Sequence, residues 1–597
     1  MLPKAAPSAA SALALETAAA PKPLQFSGDA VGQAGSKDAL ARLTKAMAEL
    51  KSLSVEPLLQ RAVKAIQAED WKNAGELVSQ ALERDKDNGF GWYLLAIVRE
   101  RLGDFAESIL AYEAALRLVP QHAEVANDLG RLASRMGMKA EAEKLFQHFL
   151  TIHPDNPEAL NNLACVVRDQ FRYEDAVEIL RPAILKNPEN SLLWNTMGTV
   201  MSEQGDFTNA DVFFQEALRL DQNFFRARFN MGNARLALGD NEGALAAVEG
   251  ALGQVRSEDE RQMMLLSRSL ILLNLSRVGE GWDGYEARLH PRFHDCTHFL
   301  FEQPRWEPGM DLKGKTLLVV GEQGLGDEVL FSNVLPDVIE RLGSEAGLIL
   351  AVEPRLVPLY RRTYPKARVE AHSTYIVATK TIRYVPALLK ELDTVDCWTP
   401  IASLLREFRP TVESFPDRRG FVTPDPERVA HWRRTLESAP AGPKVGLLWK
   451  SAINRDARHR FFSPFDQWAP VLQTPDACFV NLQYGDCAEE IAQAKARLGV
   501  DIWTPPGIDL RQDLDDVAAL ASALDLTIGF SNATLNLAAA CGAPTWLISV
   551  PGTWTRLGTA RYPWYPQVRT FTAAAYGAWG PLMESVGEAF QGFVSEH

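Results

Sequence analysis

The sequence has few of the features that mark disulfide-bonded, membrane-spanning or nucleic-acid-binding proteins. Its six cysteines are scattered along the chain without a C-x-x-C pair, which predicts free thiols in a reducing compartment. No apolar run reaches the roughly eighteen residues of a membrane-spanning helix. Basic residues are not in excess, because 62 Lys and Arg face 76 Asp and Glu for a net charge of −14. That balance argues against nucleic acid as a partner, and together these absences predict a cytoplasmic protein.

What is present points to several soluble domains. A chain of 597 residues is long enough for roughly three or four domains. The content of 46% hydrophobic and 23% charged residues is that of ordinary globular proteins. The Ala-rich start, residues 1–36, contains Glu16 within its weakly apolar run and is therefore interpreted as a disordered tail rather than a signal peptide.

A repeat of 34 residues occupies much of the first half, with blocks that begin at Gly89, Ala123, Pro157, Ser191 and Phe225. The eighth position of every block is Ala or Gly, and the twenty-fourth is large and apolar. Small residues let paired helices approach closely, while large ones fill the layer between repeats. The pattern resembles the tetratricopeptide repeat. With a first helix over Lys37–Leu53 and less regular outer repeats, it predicts an α superhelix over residues 37–290.

The fifth position of the blocks is a candidate peptide-binding surface, occupied by Tyr93, Asn127, Asn161, Asn195 and Phe229. In this repeat family the position lines the concave groove. An amide offers both donors and an acceptor, so a ladder of asparagines suits the backbone of an extended peptide. The alternative, that asparagine is only a tolerated polar residue on a solvated face, stays open.

The second half alternates strands and helices after a linker at 291–312. One Rossmann-like half, 313–425, contains the strand Thr316–Val320, which is followed by the glycine-rich turn Gly321–Asp327. Another half, 443–597, contains the strand Lys444–Leu448 and then a basic loop with Lys450 and Arg460. Two such halves predict a cleft between the carboxyl edges of their sheets.

A βαβ unit in the C-terminal half is the strongest local signal. The strand Leu526–Ile528 leads through Ser531 and Asn532 into the helix Ala533–Ala540. Free N–H groups and the dipole at such a helix start favour an anion such as a phosphate, which the basic loop would help to clamp. Two plainer alternatives stay open, namely a structural turn with an ordinary cap and a solvated surface loop.

Several motifs resemble bacterial tetratricopeptide-repeat proteins that carry a heptosyltransferase-like glycosyltransferase domain. They are LKGKTLLVVGEQGLGDEVLFSNVLP, TPIASL, GFSNATLNLAAACGAP and YPWYP. The resemblance implies a GT-B fold with two Rossmann-like halves, the acceptor side first and the donor side second, working without a divalent metal or a bound cofactor. Length and arrangement are most similar to FlmG-type flagellin glycosyltransferases, which transfer the sialic-acid-like sugar pseudaminic acid to serines and threonines.

The resemblance also implies roles for individual residues. Asp327 is the expected general base for the acceptor hydroxyl, with Glu322 in reserve, although Asp327 could be only a helix N-cap. The expected donor is a CMP-linked sugar, and its expected contacts are Lys450, Asn454, Arg460, Gln483, Tyr484, Ser531, Asn532 and Thr534. One departure concerns the phosphate contact, because Phe530-Ser531-Asn532 stands where many members carry a serine or threonine pair after an acidic residue.

Three functions follow as hypotheses. The first is a protein O-glycosyltransferase whose repeats hold flagellin or a similar acceptor. The second is a non-catalytic adaptor that recruits a client for flagellar assembly or export. The third is a glycosyltransferase that acts on lipopolysaccharide.

Overall fold

The computed structural model describes residues 37–344, 346–377, 380–451 and 461–597. The predicted tail, 1–36, lies outside this range, as do Asn454 and Arg460 of the basic loop. The chain divides into two compact units, one that ends at Val200 and one that spans Met201–His597. This division falls inside a helix of the repeats, whereas the sequence-based boundaries place a domain limit at residue 290; those domain boundaries stay a prediction.

The first unit consists of antiparallel helix pairs. Its helices are α1 (Lys37–Gln67), α2 (Trp71–Arg84), α3 (Gly89–Leu102), α4 (Phe105–Leu118), α5 (Ala123–Arg135), α6 (Lys139–Ile152), α7 (Pro157–Asp169), α8 (Tyr173–Lys186) and α9 (Ser191–Gln204). The small eighth position and the large twenty-fourth position of one repeat are in contact. A Cβ added to Gly130 would lie 2.9 Å from Cε1 of Phe146, so glycine permits the close approach of α5 and α6.

The first helix differs from its prediction. The sequence predicts that this helix ends at Leu53, ahead of Pro57. Instead α1 continues through Pro57 to Gln67. The residues on either side of the proline, including Val55 and Leu59, are buried, and this packing maintains a single helix across the missing N–H donor.

The second unit begins with further helix pairs and continues with parallel sheets. The paired helices are α10 (Phe207–Leu220), α11 (Phe225–Ala237), α12 (Asn241–Leu252), α13 (Glu258–Asn274) and α14 (Val278–Tyr285). The later helices are α15 (Leu325–Phe331), α16 (Leu335–Leu342), α17 (Val357–Thr363), α18 (Leu405–Phe408), α19 (Pro426–Leu436), α20 (Ala469–Leu472), α21 (Ala488–Gln493), α22 (Leu514–Ala523), α23 (Ala533–Ala540) and α24 (Trp579–Glu596).

Thirteen strands are present in the described part of the chain. They are β1 (Thr297–Phe299), β2 (Thr316–Val320), β3 (Gly347–Val352), β4 (Arg368–Ala371), β5 (Ser373–Val377), β6 (Lys380–Tyr384), β7 (Cys397–Pro400), β8 (Lys444–Leu448), β9 (Cys478–Asn481), β10 (Ile502–Trp503), β11 (Leu526–Phe530), β12 (Thr545–Ser549) and β13 (Val568–Thr572). Strands β2 and β8 have the predicted bounds because both are uninterrupted buried apolar runs.

Two of the three sheets are entirely parallel. One has the order β4-β3-β2-β7, and the other has the order β10-β9-β8-β11-β12-β13. In both, the first strand of the series lies beside the fourth, so the strand order reverses between β2 and β7 and between β8 and β11. Such a reversal opens a crevice at the carboxyl ends of the strands, where ligands bind in this class of sheet. A third, small sheet has the order β1-β6-β5.

Candidate functional site

A cavity of about 1090 Å³ lies within the second unit. Its wall includes the turn after β2, at Gln323–Asp327, and the turn after β11, at Phe530–Thr534. Leu266 of α13, a helix of the repeat region, also lines it. The predicted residues Asp327, Glu322, Ser531, Asn532, Thr534 and Tyr484 are all in this wall. The structure therefore brings together residues from opposite ends of the α/β region.

The beginning of α23 forms one side of the cavity. Asn532 is the N-cap, and its Oδ1 accepts a hydrogen bond from the Leu535 N–H at 2.9 Å. A Cβ on Gly326 would lie 3.3 Å from the Ala533 nitrogen, so the glycine lets the first turn of α15 rest against the start of α23. Helix N-termini carry partial positive charge and unpaired N–H groups. This side of the cavity is suited to an anionic group.

Asp327 also lines the cavity, and it is not the helix N-cap that the sequence left open as an alternative. The N-cap of α15 is Gly324, and Asp327 is the third residue of the helix. Its Oδ2 accepts a hydrogen bond from the Gly324 N–H at 3.2 Å, which is the return bond of a capping box. The carboxylate is therefore oriented by the turn while it remains in the cavity wall.

Glu322, the reserve base, is held in a buried ion pair. Its two oxygens accept hydrogen bonds from Nε and Nη2 of Arg288 at 2.8 and 2.7 Å, and Oε1 also accepts from the Ala402 N–H at 2.9 Å. Burial alone lowers the pKa of the Arg288 guanidinium, but the charge of Glu322 outweighs it and the pKa is raised. With both oxygens engaged, Glu322 holds the turn after β2 against the segment after β7. Its role as a reserve base stays a prediction.

Two donor-side residues also have structural partners. Gln483 is 1% exposed; its Oε1 accepts from the N–H groups of Trp449 and Lys450, and its Nε2 donates to the Tyr484 carbonyl. The Lys450 ammonium pairs with Glu490. Neither side chain is part of the cavity wall. Gln483 shapes the loop after β8, and its contact with a nucleoside stays a prediction.

Sequence reasoning missed several cavity residues. The cationic ones are Arg288, Arg355, Arg383 and Arg511, and the polar ones include Asn536. Arg383 is 6% exposed, and its Nη1 donates to the Gly321 carbonyl at 2.5 Å. Its burial lowers the pKa of the guanidinium. No sequence signal marks Arg383, because it lies on β6, a short strand of the small sheet without an apolar run.

Two residues at fifth repeat positions, Tyr93 and Asn161, form side-chain hydrogen bonds with the next repeat. The Tyr93 hydroxyl donates to Asp128 Oδ2 at 2.7 Å, and the Thr196 hydroxyl donates to Asn161 Oδ1 at 2.5 Å. Tyr93, Asn161, Asn195 and Phe229 are all buried. The ladder therefore includes hydrogen bonds between repeats, which the sequence did not indicate.

One pair of repeat positions lacks such a bond. Oδ1 of Asn127, at a fifth position, and Nδ2 of Asn162, at the sixth position of the next repeat, are buried without a hydrogen-bond partner among the described residues. Each of these two amides therefore has one atom that can still form a hydrogen bond. Peptide binding by the fifth positions stays a prediction.

Comparisons with known proteins show the family of this chain. The tetratricopeptide-repeat family matches residues 89–122 and 158–186, which confirms the repeat prediction. Protein FlbA of Caulobacter vibrioides is 49% identical over 567 residues, 95% of each chain. The chain belongs to the FlbA family. The match spans 95% of this chain, so it includes both its repeats and its α/β region.

Solved structures resemble parts of this FlbA-family chain. A tetratricopeptide-repeat protein from Parabacteroides merdae has a TM-score of 0.36 at 16% identity, covering 39% of this chain and 91% of its own. MamA from Desulfovibrio magneticus has a TM-score of 0.27 at 17% identity, covering 29% and 97%.

The described residues contain no membrane-spanning helix, metal-ligand cluster or disulfide. No described helix is long and apolar enough to cross a membrane. No three His, Cys, Asp or Glu side chains in the described ranges cluster as metal ligands, and independence of metal stays a prediction. All six cysteines are free thiols.

Proposed function

We propose that this FlbA-family chain is a protein O-glycosyltransferase of GT-B type that needs no metal. The observation that supports it is one cavity whose wall contains both Asp327 and the start of α23. Glycosyl transfer to a hydroxyl requires both parts, a base for the incoming proton and a positive region for the departing phosphate. The two turns come from the reversal points of two parallel sheets, where ligands of such folds bind.

In the proposed reaction, a serine or threonine Oγ of the acceptor attacks the anomeric carbon of the sugar. The carbon–oxygen bond to the nucleotide phosphate breaks, and the electron pair leaves with that phosphate. The Asp327 carboxylate takes the hydroxyl proton, and the N–H groups at Ser531–Thr534 stabilise the charge on the leaving nucleotide. The Glu322–Arg288 pair and Arg383 hold the turn that carries Asp327.

The proposed acceptor is a polypeptide bound by the repeats, flagellin in the first instance. Tethering of the acceptor raises its local concentration near the cavity. Leu266 of α13 belongs to the cavity wall, so part of the repeat region would contribute directly to the acceptor site. The proposed donor is a CMP-linked sialic-acid-like sugar such as pseudaminic acid, on the strength of the similarity to FlmG-type enzymes.

Thermal shift followed by a transfer assay tests this function. The full chain is scanned against CMP-, UDP-, GDP- and ADP-sugars, because a ligand that binds only the folded state raises the unfolding midpoint. The best ligand is then incubated with flagellin, and the intact mass of flagellin is measured. A mass increase of one sugar residue or more is expected. No midpoint shift with any nucleotide-sugar would contradict the proposal.

A non-catalytic adaptor is the second candidate, and the unpartnered amides of Asn127 and Asn162 favour it. They can bind a peptide backbone whether or not the cavity is catalytic. Binding of flagellin with no change in its mass, under the same assay conditions, would support the adaptor.

A further inference from the structure

Asn536 is an unusual residue for its position. It lies one turn after the N-cap Asn532 on α23, a helix otherwise composed of Ala, Leu and Thr. Its side chain is 4% exposed and belongs to the cavity wall. A buried polar group without a partner is costly, and each one in a native structure calls for an explanation.

The unpaired atoms are identified by the bonds that their amides do make. Nδ2 of Asn536 donates to the Asn532 carbonyl at 3.0 Å, and because a carbonyl only accepts, the remaining atom must be Oδ1. Likewise Oδ1 of Asn532 accepts from the Leu535 N–H, so the remaining atom is Nδ2. Asn536 Oδ1 and Asn532 Nδ2 are both buried without a partner in the part of the chain that the structure describes. One face of α23 therefore presents an unpaired acceptor and an unpaired donor.

This pair determines which chemical groups fit. A phosphate diester oxygen carries no proton, so it can accept from Asn532 Nδ2 but cannot satisfy Asn536 Oδ1. Asn536 requires an O–H or N–H donor. A sugar hydroxyl or an acylamino group supplies a donor and an acceptor together, and a nucleotide-sugar places such groups next to its phosphate.

We propose that Asn536, together with Asn532, is the subsite that recognises a hydroxyl or acylamino group of the transferred sugar. This rests on the proposed function. The anion lies at the first turn of α23, and the sugar ring lies one turn further along the helix. Asn536 thus discriminates the sugar, while the N-terminus binds the phosphate of any nucleotide.

The test compares two ligands in two variants. Asn536→Leu has similar volume and Asn536→Ala is compatible with the Ala-rich helix, so at least one should fold. The probes are the nucleotide-sugar that stabilises the wild type most and its own free nucleotide. In both variants, affinity for the free nucleotide should stay within about twofold, and affinity for the nucleotide-sugar should fall roughly three- to tenfold. The unliganded midpoint should not fall in Asn536→Leu, because an unpaired buried oxygen has been removed.

Two outcomes would overturn the inference alone, while the proposed function stands. In one, both ligands bind the variants as they bind the wild type, as expected if only a buried water meets Oδ1. In the other, both affinities fall equally, which would assign Asn536 to the phosphate or to the fold. Absence of any nucleotide-sugar binding by the wild type would instead overturn the proposed function.

Discussion

The two turns that meet at the cavity satisfy their buried polar groups in opposite ways. Behind the β2 turn, Glu322 and Arg288 satisfy each other through two hydrogen bonds. At the β11 turn, the amides of Asn532 and Asn536 each have one buried atom without a hydrogen-bond partner among the described residues. A fully paired network stabilises a rigid backbone, whereas an unpaired group is available to a ligand. On the proposed function, this difference assigns the first turn to positioning the Asp327 carboxylate and the second turn to ligand binding.

Asp327→Asn should have the largest effect, because it removes the proposed base from the first turn. Transfer to flagellin should slow by about 10²- to 10⁴-fold, while thermal stability and nucleotide-sugar affinity change little. Asp393→Asn, at an exposed carboxylate outside the cavity wall, is the matched control. The measurement is the initial rate by intact mass of flagellin, and an unchanged rate would remove Asp327 from the mechanism.

Arg288→Met tests whether the first turn depends on its ion pair. The change leaves the Glu322 carboxylate buried and unpaired, and we expect a loss of about 3–5 kcal/mol in unfolding free energy. Thermal unfolding of the full chain measures it. Adding Glu322→Gln should recover part of the loss. Arg219→Met, which breaks an exposed pair with Glu216, should cost at most about 1 kcal/mol; equal losses in the two variants would contradict the comparison.

Gly326→Val tests the contact that joins the turns. A branched side chain here must displace the backbone of Asn532–Ala533, and overpacking of this kind costs about 1–3 kcal/mol. Affinity for the best nucleotide-sugar, from the same thermal scans, should fall as the start of α23 moves. Gly592→Val, with no atom within 4 Å of an added Cβ, should leave binding unchanged. Wild-type affinity in Gly326→Val would show that the contact is dispensable.

The repeats also contain both paired and unpaired buried amides, and changes there should have the smallest effects. Oδ1 of Asn161 accepts from the Thr196 hydroxyl. Asn161→Leu should therefore cost about 1–3 kcal/mol, because it removes the acceptor of a buried hydroxyl. The double change of Asn127 and Asn162 to Leu removes two unpaired amides and should alter stability by less than about 1 kcal/mol. Flagellin capture by the double variant should nevertheless weaken several-fold. Undiminished capture would assign peptide binding to other positions.

Local pattern was sufficient for the parts of the fold that depend on local interactions. The 34-residue period predicted the paired helices, because helix geometry sets the spacing of the small and large residues. The apolar runs at β2 and β8 predicted two strands, and the polar turns that carry Asp327 and Lys450 follow these strands directly. Strands β5 and β6 were not predicted, because their residues are polar or largely exposed and form no apolar run.

The sequence by itself determined the repeat array, the main strands and the two turns, since periodicity, glycine and capping residues act over a few positions. Only the tertiary structure decided which polar groups are paired. Arg288 forms an ion pair with Glu322, and Gln483 accepts a hydrogen bond from the loop after β8. Asn536 Oδ1 has no partner among the described residues. Hydrogen-bond satisfaction depends on groups that are distant in sequence and excluded from water together, and no local pattern encodes that.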